Sequence, residues 1–193
     1  MAFYPYNPNL GQTIQGEPGA TPVDRGYIAH YQAKPKAAGA ATVLAATAQD
    51  EDDPTVVTVG ITQPDVPRTL TVKGNAAGIT GNVVIVGTDA AGQPITDTIA
   101  LNATTEVEGA LAFRSVTKIT LPKYTTAGDK VSVGWGKKLG LPHIVYNAAC
   151  LLVKLFNGSA DNGTLAVDAV LAKNLFALDG TPDGAKVVDL FYI

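Results

Sequence analysis

Residues 82–101 read Asn82-Val-Val-Ile-Val-Gly-Thr-Asp-Ala-Ala-Gly-Gln-Pro-Ile-Thr-Asp-Thr-Ile-Ala-Leu101, and this stretch decides the fold class. Asn82–Val86 is almost continuously apolar and β-branched, as a strand covered on both faces would be. Thr88–Gln93 is a turn in which Gly92 supplies positive φ, and Ile95–Leu101 resumes the strand pattern; together they form a hairpin signature. Working outward, Arg68–Lys73 alternates with period two, Leu70 and Val72 facing one way and Thr69, Thr71 and Lys73 the other. On the other side, Phe113–Leu121 places Phe113, Ile119 and Leu121 on the core face and Val116 on the opposite one.

Further strands are predicted at Gly26–Lys34, Ala40–Thr47, Thr55–Ile61, Val131–Val133 and Lys186–Ile193. In Ala40–Thr47, alanine favours helix while Thr42 and Val43 favour strand, and the strand is preferred. One short helix is expected, within Ala166 to Asn174. Gly74–Gly81 and Gly134–Gly140 are glycine-rich but lack the spacing and the following helix of a phosphate cradle, so both are expected to be tight loops. The expectation is an all-β antiparallel sandwich or barrel-like domain over residues 26–193, with residues 26–54 transitional. With 20 glycines and 12 prolines in 193 residues, the chain has the punctuation of short strands joined by turns.

Residues 1–25 differ in texture. Pro5, Pro8, Pro18 and Pro22 exclude a long helix or a central strand, and no charged side chain precedes Glu17. A disordered tail is usually polar and charged, whereas this segment carries Phe3, Tyr4 and Tyr6. Two readings stand, a poorly ordered terminus and an extended N-terminal arm that orders on a partner subunit; the arm is the expectation, with Phe3, Tyr4, Tyr6, Leu10 and Ile14 as its capsid- or subunit-binding residues.

Charged residues are 16% of the chain, the net charge is −3 and no basic run occurs, so the footprint of nucleic-acid binding is missing. No window approaches a membrane-spanning length. The N-terminus lacks the basic and apolar regions of a secretory signal, which points to folding in the cytoplasm. The sequons at Asn102, Asn157 and Asn162 then read as turn chemistry. A single cysteine, Cys150, excludes an internal disulfide and reads as a small buried hydrophobe. His30 and His143 stand outside any metal-ligating motif, and no nucleophile elbow occurs. Asp89, Asp129, Asp161, Asp179 and Asp183 fall in turn-like contexts, where backbone capping explains them. Paired carboxylates for glycoside hydrolysis remain open, since their separation is three-dimensional. The sequence is therefore read as non-enzymatic, without cofactor or metal.

Pro67–Asp89, Ile95–Leu101, Ala112–Pro122, Val131–Gly134 and Lys138–Pro142 together resemble a group of tailed-bacteriophage structural proteins of the head-decoration or head-fibre type. The resemblance covers roughly residues 55–145, and its motifs are strand-and-turn patterns. It implies a virion protein made in the host cytoplasm, forming homo-oligomers, with a trimer favoured, and binding the major capsid protein on the outside of the head. It carries no catalytic residue. The alternative reading is a receptor- or glycan-binding module of a fibre or tail, using loop aromatics such as Trp135 and Tyr124.

Overall fold

The computed structural model describes residues 28–193, together with the backbone pairing of Thr13–Ile14 (β1) against Val23–Asp24 (β2). The described chain is nearly all β, in antiparallel sheets, one of them curled as a half-barrel. One sheet runs in the order β5 (Thr55–Val57), β10 (Ser115–Leu121), β7 (Asn82–Thr88), β8 (Pro94–Ala100). A second runs β14 (Thr164–Ala166), β15 (Leu175–Ala177), β11 (Lys130–Gly140), β6 (Arg68–Gly74), β9 (Val107–Glu108), with β4 (Gly39–Ala48) also paired to β11. A third runs β13 (Ser159–Ala160), β12 (Leu151–Phe156), β16 (Val188–Tyr192), β3 (Ala29–Ala33).

Two hydrophobic clusters hold these sheets together. The first contains Leu70, Val72, Val83, Ile85, Phe113, Ile119, Val131, Val133 and Trp135. The second contains Ala29, Tyr31, Leu139, Leu141, Phe176, Val188, Leu190 and Tyr192. β11 contributes to both. Its first half lies between β4 and β6; its second half, after a register shift between Trp135 and Leu139, pairs with β15.

The hairpin of residues 82–101 forms as its sequence dictates. β7 and β8 keep register from Asn82↔Ala100 to Thr88↔Pro94, and Gly92 takes φ +81. Four expectations need correction. Val116 is buried with Phe113, Ile119 and Leu121, because β10 carries a bulge between Val116 and Lys118 that shifts the alternation. Thr69 and Thr71 are also buried, so β6 is covered on both faces. Residues 166–174 contain only one 3-10 turn, Leu171–Lys173. Gly134–Gly140 is not a loop but the second half of β11.

The glycines of that half are required by close approach. A Cβ on Gly134 would strike the Gly39 carbonyl and the Ala40 backbone, and one on Gly136 would strike Thr69 and Glu108. Gly134→Val is therefore expected to force β4 off β11 at a cost of about 2 kcal/mol, lowering the melting midpoint by roughly 4–8 °C. A midpoint within 1 °C of wild type in differential scanning calorimetry would show that β4 yields freely.

Candidate functional site

The third sheet sets out a surface by simple alternation. Along β16, Val188, Leu190 and Tyr192 turn into the second cluster, so Asp189 and Phe191 turn outward, and Ile193 continues the outward row. Along β3, Ala29 and Tyr31 turn in and His30 and Gln32 turn out. The cross-strand pairs Phe191↔His30 and Phe191↔Val153 carry the row onto β12, and Asp189↔Leu155 and Asp189↔Gln32 form the next. Ile28, one residue before β3, falls on the same outward face. Ile28 is 63% exposed, Ile193 51% and Val153 40%, and Phe191 and Leu155 are half-buried. The outer face is thus apolar at the end where residue 28 enters the sheet.

In the next rows apolar and polar groups alternate across the sheet, His30 beside Phe191 and Asp189 between Gln32 and Leu155. The His30 ring lies on the Phe191 ring at 4.3 Å and 6° between planes, and His30 Nε2 sits 3.0 Å from Asp189 Oδ1. Gln32 Nε2 donates to the same oxygen at 2.8 Å. The hydrogen bonds from Gln32 and His30 hold the Asp189 carboxyl below its ordinary range.

A second outer face belongs to the β5–β10–β7–β8 sheet. Val56, Thr120, Val84 and Thr98 form one outward cross-strand row, and Lys118, Val86 and Thr96 the next. Val56 is 57% exposed. In these two rows Lys118 is the one charged side chain.

The residues singled out from sequence fall elsewhere. Phe3, Tyr4, Tyr6 and Leu10 lie outside the described residues, and Ile14 enters only through the pairing of its backbone with Val23. Trp135 is 7% exposed in the first cluster, with the Arg68 guanidinium 5.6 Å and the Lys36 amine 6.0 Å from its ring centre. Its ring is thus enclosed by the body rather than displayed on a loop. Tyr124 is half-buried, donates from its backbone N–H to Asp50 O, and bonds Glu51 through its hydroxyl, which pushes its pKa up. Trp135 pairs with Gly39 at one end of β4, whereas Tyr124 lies beside Asp50, beyond the other end. The structure does not bring them together.

Four of the five turn aspartates cap backbone with their carboxylates; Asp179 takes part through its own N–H. Asp89 Oδ1 accepts from Ala91 and Gln93 N–H, Asp129 Oδ2 from Thr125 and Thr126 N–H, and Asp183 Oδ1 from Ala185 and Lys186 N–H. The buried Asp161 accepts from Gly163, Asp179 and Gly180 N–H and so ties the loop after β15 to the loop before β14. Asp161→Ala leaves these three donors without their acceptor and is expected to cost about 1–3 kcal/mol, visible as faster proteolysis of residues 178–187. Unchanged cleavage rates would show that water replaces the carboxylate without loss.

Two carboxylates do share a depression of about 280 Å³, lined by Thr71, Glu106, Glu108 and Lys137. Burial pushes the Glu108 carboxyl up, but hydrogen bonds from Thr69 Oγ1 and from Lys137 and Lys138 N–H, with the Lys138 charge, outweigh it and leave its pKa below the ordinary value. Held ionised in this way, Glu108 is unsuited to the general-acid role, which requires a raised pKa. Its depressed folded-state pKa contributes stability above the unfolded value, lost as pH falls through the folded one. Glu108→Gln is accordingly expected to flatten the stability profile below about pH 4.5; an unaltered acid limb in urea melts would contradict this. Among the described residues, no group of three or more His, Cys, Asp or Glu side chains is placed to hold a metal ion. No helix of the described residues is long and apolar enough to cross a membrane.

The outer face of the third sheet was missed in the sequence reading. Its signal was present in the alternation of Val188–Ile193, but the alternation reveals a face only once Val188, Leu190 and Tyr192 are known to point inward. Comparison with protein-family models, with curated proteins and with solved structures finds no match.

Proposed function

We propose that this chain is a decoration protein of a tailed-bacteriophage head, binding the outer surface of the major capsid lattice as a homo-oligomer, with a trimer favoured. The observation that carries this reading is the presence of two outward sheet faces surfaced largely by uncharged side chains, one of them bearing Ile28 at the start of the described body. Surfaces of this kind suit assembly on a lattice, where each copy makes modest contacts and symmetry multiplies them. The phage-protein resemblance supports the same reading, and the segments that carry it build β6, β7, β8, β10 and β11 around the first cluster.

The test is co-sedimentation of the purified protein with expanded, undecorated heads of its source phage. Saturable binding at a fixed copy number per capsomer is expected. Deleting residues 1–25 is expected to abolish attachment while the body stays folded by circular dichroism. Full retention of binding by the deletion removes the arm from the reading, and failure of the intact protein to bind moves the assignment to the neck, the tail or a fibre.

A further inference from the structure

We infer that the outer side of the second sheet, where Lys137 stands between two depressions, binds a short uncharged saccharide chain. The inference goes beyond the decoration role and stands without it. The first depression is the one of about 280 Å³ lined by Thr71, Glu106, Glu108 and Lys137. The second, of about 250 Å³, lies between Lys137, Ala37 and Ala38 on one side and the loop of residues 178–182 on the other.

Three observations select the ligand. The first is a hydroxyl without a partner. Val107 packs against the first cluster, so Glu106 and Glu108 turn to the other side. Thr71 lies opposite Glu108 and faces the same side of β6 as Thr69, whose Oγ1 bonds Glu108. Thr71 is only 4% exposed, and its Oγ1 meets no hydrogen-bond partner in the chain. A buried polar atom in this state costs stability and marks a place where an outside group completes the bonding. The second observation is the mixture of charges. The Glu106 carboxylate and the Lys137 ammonium line one depression yet form no ion pair with each other. Glu106 and Glu108 call for donors and Lys137 for an acceptor, while Thr71 serves as either. A hydroxyl both donates and accepts, so a ring bearing several of them can meet all four groups. An anionic ligand would face Glu106, Glu108 and Asp179, and a cationic one Lys137 and Lys138; an uncharged ligand meets neither repulsion. The third is a firm, partly apolar frame. The second depression adds Leu178 and Pro182, which suit the C–H face of a sugar ring, beside the polar Asp179 and Thr181. Its loop is fixed by Asp161, which accepts from Asp179 and Gly180 N–H, and Glu108 is fixed by Thr69, Lys137 and Lys138. Walls held in place before binding lose little freedom on it. A peptide would seek a strand edge to extend, and β9 offers only two residues.

The test uses the full chain, titrated without heads and read at its backbone amides by nuclear magnetic resonance. The probes are maltotriose, cellotriose and triacetylchitotriose, with sialyllactose, glucosamine trimer and trialanine as anionic, cationic and peptide controls. At least one neutral sugar is expected to bind and to shift the amides of Glu108, Lys137, Lys138, Asp179 and Gly180 together. Lys137→Ala and Glu106→Ala are each expected to weaken that binding about tenfold, the effect of losing a hydrogen bond to a charged group. Both positions are exposed, so the fold tolerates the changes. Thr71→Val should weaken binding as well while the melting midpoint holds or rises, because the hydroxyl it removes bonds nothing within the chain. Should Thr71→Val fail to fold, the two exposed variants decide alone. No binding by the neutral sugars, shifts confined to other amides, tighter binding of any control, affinity indifferent to Lys137→Ala and Glu106→Ala, or a Thr71→Val midpoint that falls while affinity holds each overturns the inference. Sugar binding without head attachment would overturn the decoration role alone, and head attachment without sugar binding would overturn this inference alone.

Discussion

Arg68→Met is expected to lower stability by about 3–5 kcal/mol, the range for removing one partner of a buried, hydrogen-bonded ion pair, and so to drop the melting midpoint by roughly 6–20 °C. Arg68 is fully buried at the start of β6. Its Nε and Nη2 donate to Gly136 O at 3.1 and 2.8 Å, and its Nη1 donates to Lys36 O at 3.0 Å and to Asp65 Oδ1 at 2.9 Å. Its guanidinium also faces the Trp135 ring. One side chain thus ties β6 to the glycine-rich bend of β11 and to the segment that leads into β4. A methionine fills the volume and leaves two carbonyls and a carboxylate without their donors. Arg68→Lys should restore less than half the loss, since an ammonium cannot reproduce a planar fork that serves three acceptors. Thermal melts of the three proteins check this, and a midpoint for Arg68→Met within 2 °C of wild type would end the argument.

Phe113→Ala and Leu190→Ala form the second large effect. Both side chains are fully buried, Phe113 in the first cluster and Leu190 in the second. Truncation is expected to cost about 3–5 and 2–5 kcal/mol respectively. The informative readout is Trp135, the sole tryptophan, which reports on the first cluster alone. Because β11 runs through both clusters, Leu190→Ala should move the Trp135 fluorescence midpoint together with the far-ultraviolet circular dichroism. If the tryptophan signal stays at the wild-type midpoint while the dichroism shifts, the two clusters melt as separate units.

Much of the fold was legible because its signals are local. Alternation in Arg68–Lys73, the β-branched run at 82–86 and the glycine of the 88–93 turn are properties of neighbouring residues, and the strands formed where they pointed. What was not legible depends on partners distant in sequence. The bulge that turns Val116 inward is a feature of pairing with β7. Gly134 and Gly136 looked like loop residues because the backbones that crowd them, at Gly39 and Thr69, are far away along the chain. The tie made by Arg68 was hidden, since nothing in its own segment announces the carbonyls of Lys36 and Gly136. Trp135 was ambiguous for the same reason: a large aromatic serves a core or a surface equally well until its neighbours are placed. The helix expected in 166–174 gave way to a single turn, with Asn174 taken up by the chain around it through Val145 N–H, Asp168 O and Val170 O.

The five-pair ladder between β3 and β16, from Ala29↔Tyr192 to Ala33↔Val188, has a mechanical meaning. A load applied at Ile28 against an anchor in the β12–β13 turn, at the far end of the ladder, pulls β3 lengthwise along its neighbour. In that geometry the cross-strand bonds resist together rather than peeling one at a time, and β12 backs β16 on its far side. The load also falls on side chains of the second cluster, Ala29 and Tyr31, which would have to slide out of packed contact before the strand could move. Resistance to such pulling is set by the rate of forced opening rather than by equilibrium stability. Single-molecule extension between residue 28 and the β12–β13 turn, at opposite ends of the ladder, should therefore meet a stiff event at β3, whereas extension between residues 28 and 193, at the same end, would unzip the pair at lower force.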